Sequence, residues 1–316
     1  MRFFSYRKEN KMIYTFMGML ILIIAATVMK PSFLTVSNFV TILRQSSILL
    51  MLSLGLTGVV LTGNIDLSVG STAAFAGCIC AKLLVGGHGA GISISMGMAA
   101  GLVIGLVNGL LAGGLALPSF VATYGVNMVV SGFSLMVMQG GIIYDLPSDF
   151  TKLGIGYIGP VPVLVIISAV IYLLLLFLFK KTIFGRSIYM IGYNKRASEY
   201  SGINTLKVLV MAYLISGLTG ALGGILMTAR LNAADAAMGE TYGLQIVAAV
   251  VVGGTSLLGG EGGVTGTVLG AVILTMIVNI MNMNRIHSNW QNFVLGIVIL
   301  ALTWLNIRGT MKKRQT

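Results

Sequence analysis

The sequence predicts an all-α polytopic membrane protein of about ten transmembrane helices, and three observations carry that prediction. Of its 316 residues, 56% are hydrophobic and only 9% charged, for a mean hydropathy of +0.96. The apolar runs recur at the length a bilayer demands, about 20 residues at about 1.5 Å each, which leaves room for around ten spans. The 20 Lys and Arg residues gather in the polar stretches between runs. The net charge of +12 is therefore a topological signal that names a lipid bilayer as partner. It is not a nucleic-acid footprint, because no aromatic and basic residues interleave as single-stranded nucleic acid requires.

The elements follow in order. Arg2, Arg7, Lys8 and Lys11 precede an apolar run at 12–29, followed directly by Lys30 and Pro31 with no small-residue cleavage site. That pattern predicts a retained anchor and not a cleaved signal. A loop with Asn38 and Arg44 leads to a second span at 46–62, and the polar break Gly63-Asn64-Ile65-Asp66-Leu67-Ser68 separates it from a third at 69–86. The fourth, 91–113, carries Gly97, Gly101, Gly105 and Gly109 at four-residue spacing, a small-residue face for close packing on another backbone. Pro118 precedes the fifth, 119–138, and a polar stretch with Asp145, Asp149 and Lys152 precedes the sixth, 161–179. Beyond 180–205 come spans at 206–229, 242–258, 264–281 and 290–307. An external loop at 230–241 and a glycine-rich break at 253–263 interrupt them, and Arg308, Lys312, Lys313 and Arg314 close the chain.

Ten spans place residues 1–11, 180–205 and 308–316 on one side, together with Lys207. That side then holds fourteen of the twenty bases and is read as cytoplasmic. Spans two to five start outside and spans seven to ten inside, each set with a glycine- and hydroxyl-rich break. This predicts an inverted repeat around a central pathway.

The segment 180–205 is the longest polar interruption. Lys180, Lys181, Arg186, Lys195 and Arg196 surround a single acid, Glu199. Arg196 to Ser201 reads as a short helix, closed by Gly202 in the left-handed conformation. It is either a plain positive-inside loop or a docking surface. Arg196 and Glu199, three apart, are positioned to pair.

No catalytic constellation, phosphate-cradling loop or metal set is present. Cys78 and Cys80 point in different directions on a helix and read as packing, and His88 and His287 are isolated. Asp66 is the one acid at membrane depth, with Lys82 near enough to a span end to snorkel. It either caps the third span or serves as the ion site of a secondary transporter.

GNIDLSVGS at 63–71, Asn108-Gly109, PSFVATYG at 118–125, GRSIYMIGYNKRASEYSGI at 185–203, Gly239-Glu240-Thr241-Tyr242 and AAVVVGGTSLLGG at 248–260 resemble the permease subunits of ribose-type sugar ABC importers. The likeness runs in order along nearly the whole chain. Departures fall at Asn64, where Gly is usual, at Tyr124, where Leu is usual, and at Gly243-Leu244-Gln245, where an acid often stands. The resemblance implies a single transmembrane permease domain over 1–316, located in the bacterial inner membrane. It would work as a dimer with a second permease copy, fed by an extracytoplasmic sugar-binding protein and driven by a tandem-domain ABC ATPase. No cofactor is implied in this chain, with ATP and Mg held by the partner subunit. Gly185, Arg186, Asn194, Arg196, Ala197, Glu199, Ser201 and Gly202 match the ATPase-coupling motif. A neutral sugar needs only hydroxyls, amides and dipoles along its path, for which Asn64, Asp66, Ser68, Asn108, Ser119, Phe120, Thr123, Asn127, Thr255 and Ser256 are candidates. Each hydroxyl or amide among them can equally bond its own helix. Arg230, Asp235 and Glu240 are the candidate contacts for the binding protein.

Overall fold

Long helices with small residues at their contacts build the molecule, and a computed structural model describes residues 17–287, 289–291, 293–297 and 300. The predicted termini at 1–11 and 308–316 lie outside the described residues, as does much of the span at 290–307. The chain is an all-α polytopic membrane protein. Among the described residues six helices are long and apolar enough to cross a bilayer, with three shorter apolar helices beside them.

Helix α1 (Met17–Met29) passes through a 3-10 turn at Pro31–Leu34 into α2 (Val36–Leu61). α2 begins ten residues before the predicted start. Asn38 and Arg44 read as loop residues, but Asn38 exchanges amide hydrogen bonds of 2.9 and 3.1 Å with Asn279. Arg44 reaches Ile155 O at 2.8 Å and lies 4.7 Å over the Tyr157 ring. Polar side chains that find such partners do not end a helix. After the break comes α3 (Val69–Val85), followed by α4 (Ala90–Gly109), which runs on as a π turn to Gly114, and by α5 (Ser119–Met138). Lys82, near the end of α3, donates to Val137 O at 2.7 Å.

A small layer then covers the side remote from 180–205. Strand β1 (Ile143–Tyr144) is followed by α6 (Ser148–Ile155) and a hairpin of β2 (Tyr157–Ile158) and β3 (Val161–Pro162). The chain continues as α7 (Val163–Lys181), α8 (Ile183–Tyr193), α9 (Lys195–Tyr200) and α10 (Thr205–Leu231). Strand β4 (Ala233–Ala234) pairs antiparallel with β1, Ile143 opposite Ala234. Then come α11 (Gly243–Val252) and α12 (Val264–Met283), and residues 289–291 and 293–297 are helical again.

The core forms where α2 and α10 cross. From Ser46 to Leu61 every residue of α2 is buried, and most of α10 beyond Tyr213 is as well. The four-residue glycine stripe of α4 lies along α10. A methyl group at Gly105 would strike the Tyr213 carbonyl, and one at Gly101 the Gly217 carbonyl. Backbone meets backbone, so no side-chain rotation relieves a larger residue. Gly105→Leu is expected to cost at least the roughly 1–3 kcal/mol of overpacking, and to cut the yield of monodisperse protein in detergent about tenfold or more.

Two predicted elements differ. The span at 242–258 is only the 10-residue α11, about 15 Å long and half a hydrocarbon core, because Gly253 and Gly254 end it. The predicted external loop at 230–241 does not stay at the level where α10 ends. Gly239 lies against the Gly70 carbonyl, with Met238 beside Gly77. Gly70 is twelve residues from Lys82 on α3, about 18 Å along the axis, so this segment descends beside α3 before α11 begins.

Candidate coupling and translocation site

The break at 62–68 leaves α2 through a turn at Thr62 and Gly63 and runs on as irregular backbone between helices, so its polar groups need partners from outside. Ser119 Oγ accepts from Ile65 N at 3.2 Å and Thr123 Oγ1 from Leu67 N at 3.1 Å, both from the first turns of α5. The Tyr213 hydroxyl donates to Ile65 O at 3.2 Å. Asp66, 3% exposed, anchors the far end. Its Oδ1 accepts from Ser68 N at 3.0 Å and Ser68 Oγ at 2.7 Å, and its Oδ2 accepts from Ser216 Oγ at 2.8 Å. Asn108 Nδ2 donates to Ser68 Oγ at 2.7 Å and sits 3.5 Å from Asp66 Oδ1. Asp66 therefore ties α3, α4 and α10 together. Ser68 is the residue that directly precedes α3, so Asp66 holds that helix start from two positions upstream through Ser68.

The second break, 253–263, folds on itself. Thr255 Oγ1 accepts from Gly263 N at 3.2 Å, Ser256 N donates to Glu261 O at 2.9 Å, and Ser256 Oγ accepts from Leu258 N at 3.3 Å. It also touches the first break. Gly260 N donates to Leu61 O at 2.9 Å, and Gly259 packs on Gly63.

The end of α2, where the first break begins, and the second break both meet α8. The sequence predicts a loop with one short helix at 196–201, but two helices stand there. Thr182 caps α8 by accepting from Gly185 N at 3.2 Å. Asn194 caps α9 through Ala197 N at 3.0 Å, and Asn204 caps α10 through Lys207 N at 2.9 Å. Such side-chain oxygens satisfy donors that a helix start leaves orphaned. Gly202 has φ +79. Gly202 N donates to Glu199 O at 3.0 Å and Ile203 N to Ser198 O at 3.1 Å, the paired bonds of a Schellman closure. Glu199 does not take Arg196 as its partner and accepts from Thr205 Oγ1 at 2.9 Å. Lys195, Arg196, Ala197 and Glu199 are exposed, and Tyr200 is 92% exposed. Gly185 is wedged against the Phe179 backbone, and Arg186 is exposed.

On the remote side Asp235 accepts from Ala237 N at 3.0 Å. Arg230 is half-buried in the last turn of α10. Glu240, predicted as an external contact for a binding protein, is exposed but follows Gly239, which lies against the Gly70 carbonyl at the start of α3, so the descent of this segment carries it away from that side. Of the predicted path residues, the structure brings Asp66, Ser68, Asn108, Ser119 and Thr123 into one network. Asn64 bonds Thr62 Oγ1 at 3.0 Å beside it, and Thr255 and Ser256 lie in the second break. Phe120 and Asn127 stand apart on α5, where Phe120 is 58% exposed and stacks on Tyr124 at 6.1 Å. Sequence reasoning missed Tyr213 and Ser216, which only their three-residue spacing on an apolar helix could have signalled. It also missed Tyr189 and Gly192 of α8.

Comparisons with known sequences show the family of the chain. The family model described as the permease component of a branched-chain amino acid transport system matches residues 38–303. The chain is 39% identical to the ribose import permease of Bacillus subtilis (strain 168), covering 92% of this chain and 91% of that one. It is 34% identical to the ribose import permease of Escherichia coli (strain K12), covering 90% and 89%. It is 32% identical to the D-allose transport system permease of the same strain, covering 87% and 84%. No solved structure matches significantly. The chain belongs to the family of transport-system permease components that includes the ribose import permeases, and is a multi-pass protein of the bacterial inner membrane.

Proposed function

We propose that this chain is the membrane-spanning subunit of an ATP-driven importer, forming the path for a ribose-like monosaccharide or related sugar. The sugar arrives from an extracytoplasmic binding protein, and ATP and Mg act on a separate tandem-domain ATPase. The observation that carries this reading is the α8–α9 pair. A six-residue helix is too short to persist in water alone, yet α9 is fixed at both ends and presents Arg196, Glu199 and Tyr200 outward. Ordering so short an exposed element has a use if a partner docks on it. The family likeness, the sugar names of its relatives and the lack of a phosphate-cradling motif support the same assignment.

The order of helix lengths supports an inverted repeat. A long helix, a connection without α-helix and a shorter helix occur twice: α2 of 26 residues with α3 of 17, and α10 of 27 with α11 of 10. In this pairing 62–68 corresponds to the descending 232–242, and not to 253–263. A second copy would close the path against the exposed face of α5, bringing Phe120, Tyr124 and Asn127 to its wall.

The test is reconstitution. The purified chain alone should hydrolyse no ATP above background. Joined with its ATPase and binding protein in proteoliposomes, it should show sugar-stimulated hydrolysis and uptake, and competition among pentoses and hexoses would name the cargo. Nucleotide turnover by the chain alone, or uptake driven by an ion gradient without ATP, would overturn the proposal.

A further inference from the structure

The outward side of α8–α9 serves docking, but the inward side of α8 makes contacts that docking does not explain. Tyr189 Oη donates to Gly262 O at 3.0 Å. Gly192 sits where the breaks meet, and a methyl group there would collide with Leu61 O and Gly260 N at once. The Tyr193 ring lies against Gly260. Leu61 O ends α2 and is one of the helix-end carbonyls that have no partner within their own helix. Its partner is Gly260 N, at 2.9 Å, from the other break.

We propose that Tyr189 and Gly192 are positioning residues that bind segments 61–63 and 259–263 to α8 as one body, so that a single displacement of the docking helices moves both breaks together. Close-packed groups transmit displacement because no void absorbs it, and at Gly192 backbone rests directly on backbone. The Tyr189 hydroxyl adds a directional tie at the far end of the second break. The first break leads within five residues to Asp66 and so to α3, α4 and α10. The second leads directly into α12. The unit thus links the docking surface to the helix starts on both halves of the chain. This inference rests on the proposed importer function.

The experiment uses the full complex with ATPase and binding protein in proteoliposomes and compares Tyr189→Phe and Gly192→Ala with the unaltered chain. Three quantities are measured: ATPase co-purification, ATP hydrolysis, and sugar moved per ATP. Co-purification and hydrolysis should stay near the unaltered level. Sugar per ATP should fall about threefold or more in Tyr189→Phe, the scale of one lost hydrogen bond, and further in Gly192→Ala. Should Gly192→Ala fail to accumulate, Tyr189→Phe decides alone, since it removes one oxygen atom. Unchanged sugar per ATP in Tyr189→Phe, or a loss of uptake that only tracks lost ATPase binding, would overturn the proposal. Failure of the importer function itself would appear separately, as an unaltered complex that moves no sugar.

Discussion

Asp66→Leu is expected to leave almost no folded protein in the membrane, while Asp66→Asn retains most of it. The carboxylate receives hydrogen bonds from Ser68 N, Ser68 Oγ and Ser216 Oγ in a site 3% exposed. Leucine strands all three donors, each at about 1–3 kcal/mol, and the total rivals the roughly 5–15 kcal/mol of a whole domain. Asparagine keeps Oδ1 for Ser68, and its amide can donate to Ser216 Oγ once that hydroxyl turns. Uptake by Asp66→Asn should remain within about fivefold of the unaltered chain, the scale of one weakened bond. It should also be indifferent to collapse of the proton or sodium gradient. The checks are membrane yield, detergent melting and uptake with and without an ionophore. Complete loss of uptake in a well-folded Asp66→Asn, with ionophore sensitivity in the unaltered chain, would favour an ion site at Asp66.

The positions of α3, α4, α5, α7, α10 and α12, the glycine stripe and the left-handed Gly202 were legible because each depends on neighbours in sequence. A stripe at four-residue spacing can only face one way, and Gly202 closes a helix whose cap, Asn194, lies eight residues earlier. Residues 183–193 were harder. GRSIYMIGY reads as polar interruption, yet its buried positions Gly185, Ser187, Ile188 and Ile191 form one helical face that needs the breaks to pack on. The descent of 235–242 was also hidden. Gly239 carries no side-chain signal, and only its approach to Gly70 places it. Asp66 shows both sides of this: its oddity was visible in the sequence, but Ser216, 150 residues away, was not.

The docking element should fail differently from every other site in the chain. Gly202→Val forces a β-branched residue to φ +79, against a cost of about 1–2 kcal/mol or more for left-handed backbone. Asn194→Ala removes the α9 cap, worth about 0.5–2 kcal/mol. Glu199→Arg frees Thr205 and reverses the one charge that balances Lys195 and Arg196. None of these side chains lies in the core, so yield and melting should barely change. The ATPase should co-purify about tenfold less with Gly202→Val, as a cost of about 1.4 kcal/mol implies, and uptake should vanish in proportion. The α8 variants give the contrast: they keep the ATPase and waste its ATP, whereas α9 variants lose the ATPase itself. Normal co-purification and uptake in Gly202→Val and Glu199→Arg together would reduce 194–202 to a plain connection between helices, because the cost of re-aiming its closure would then reach no partner.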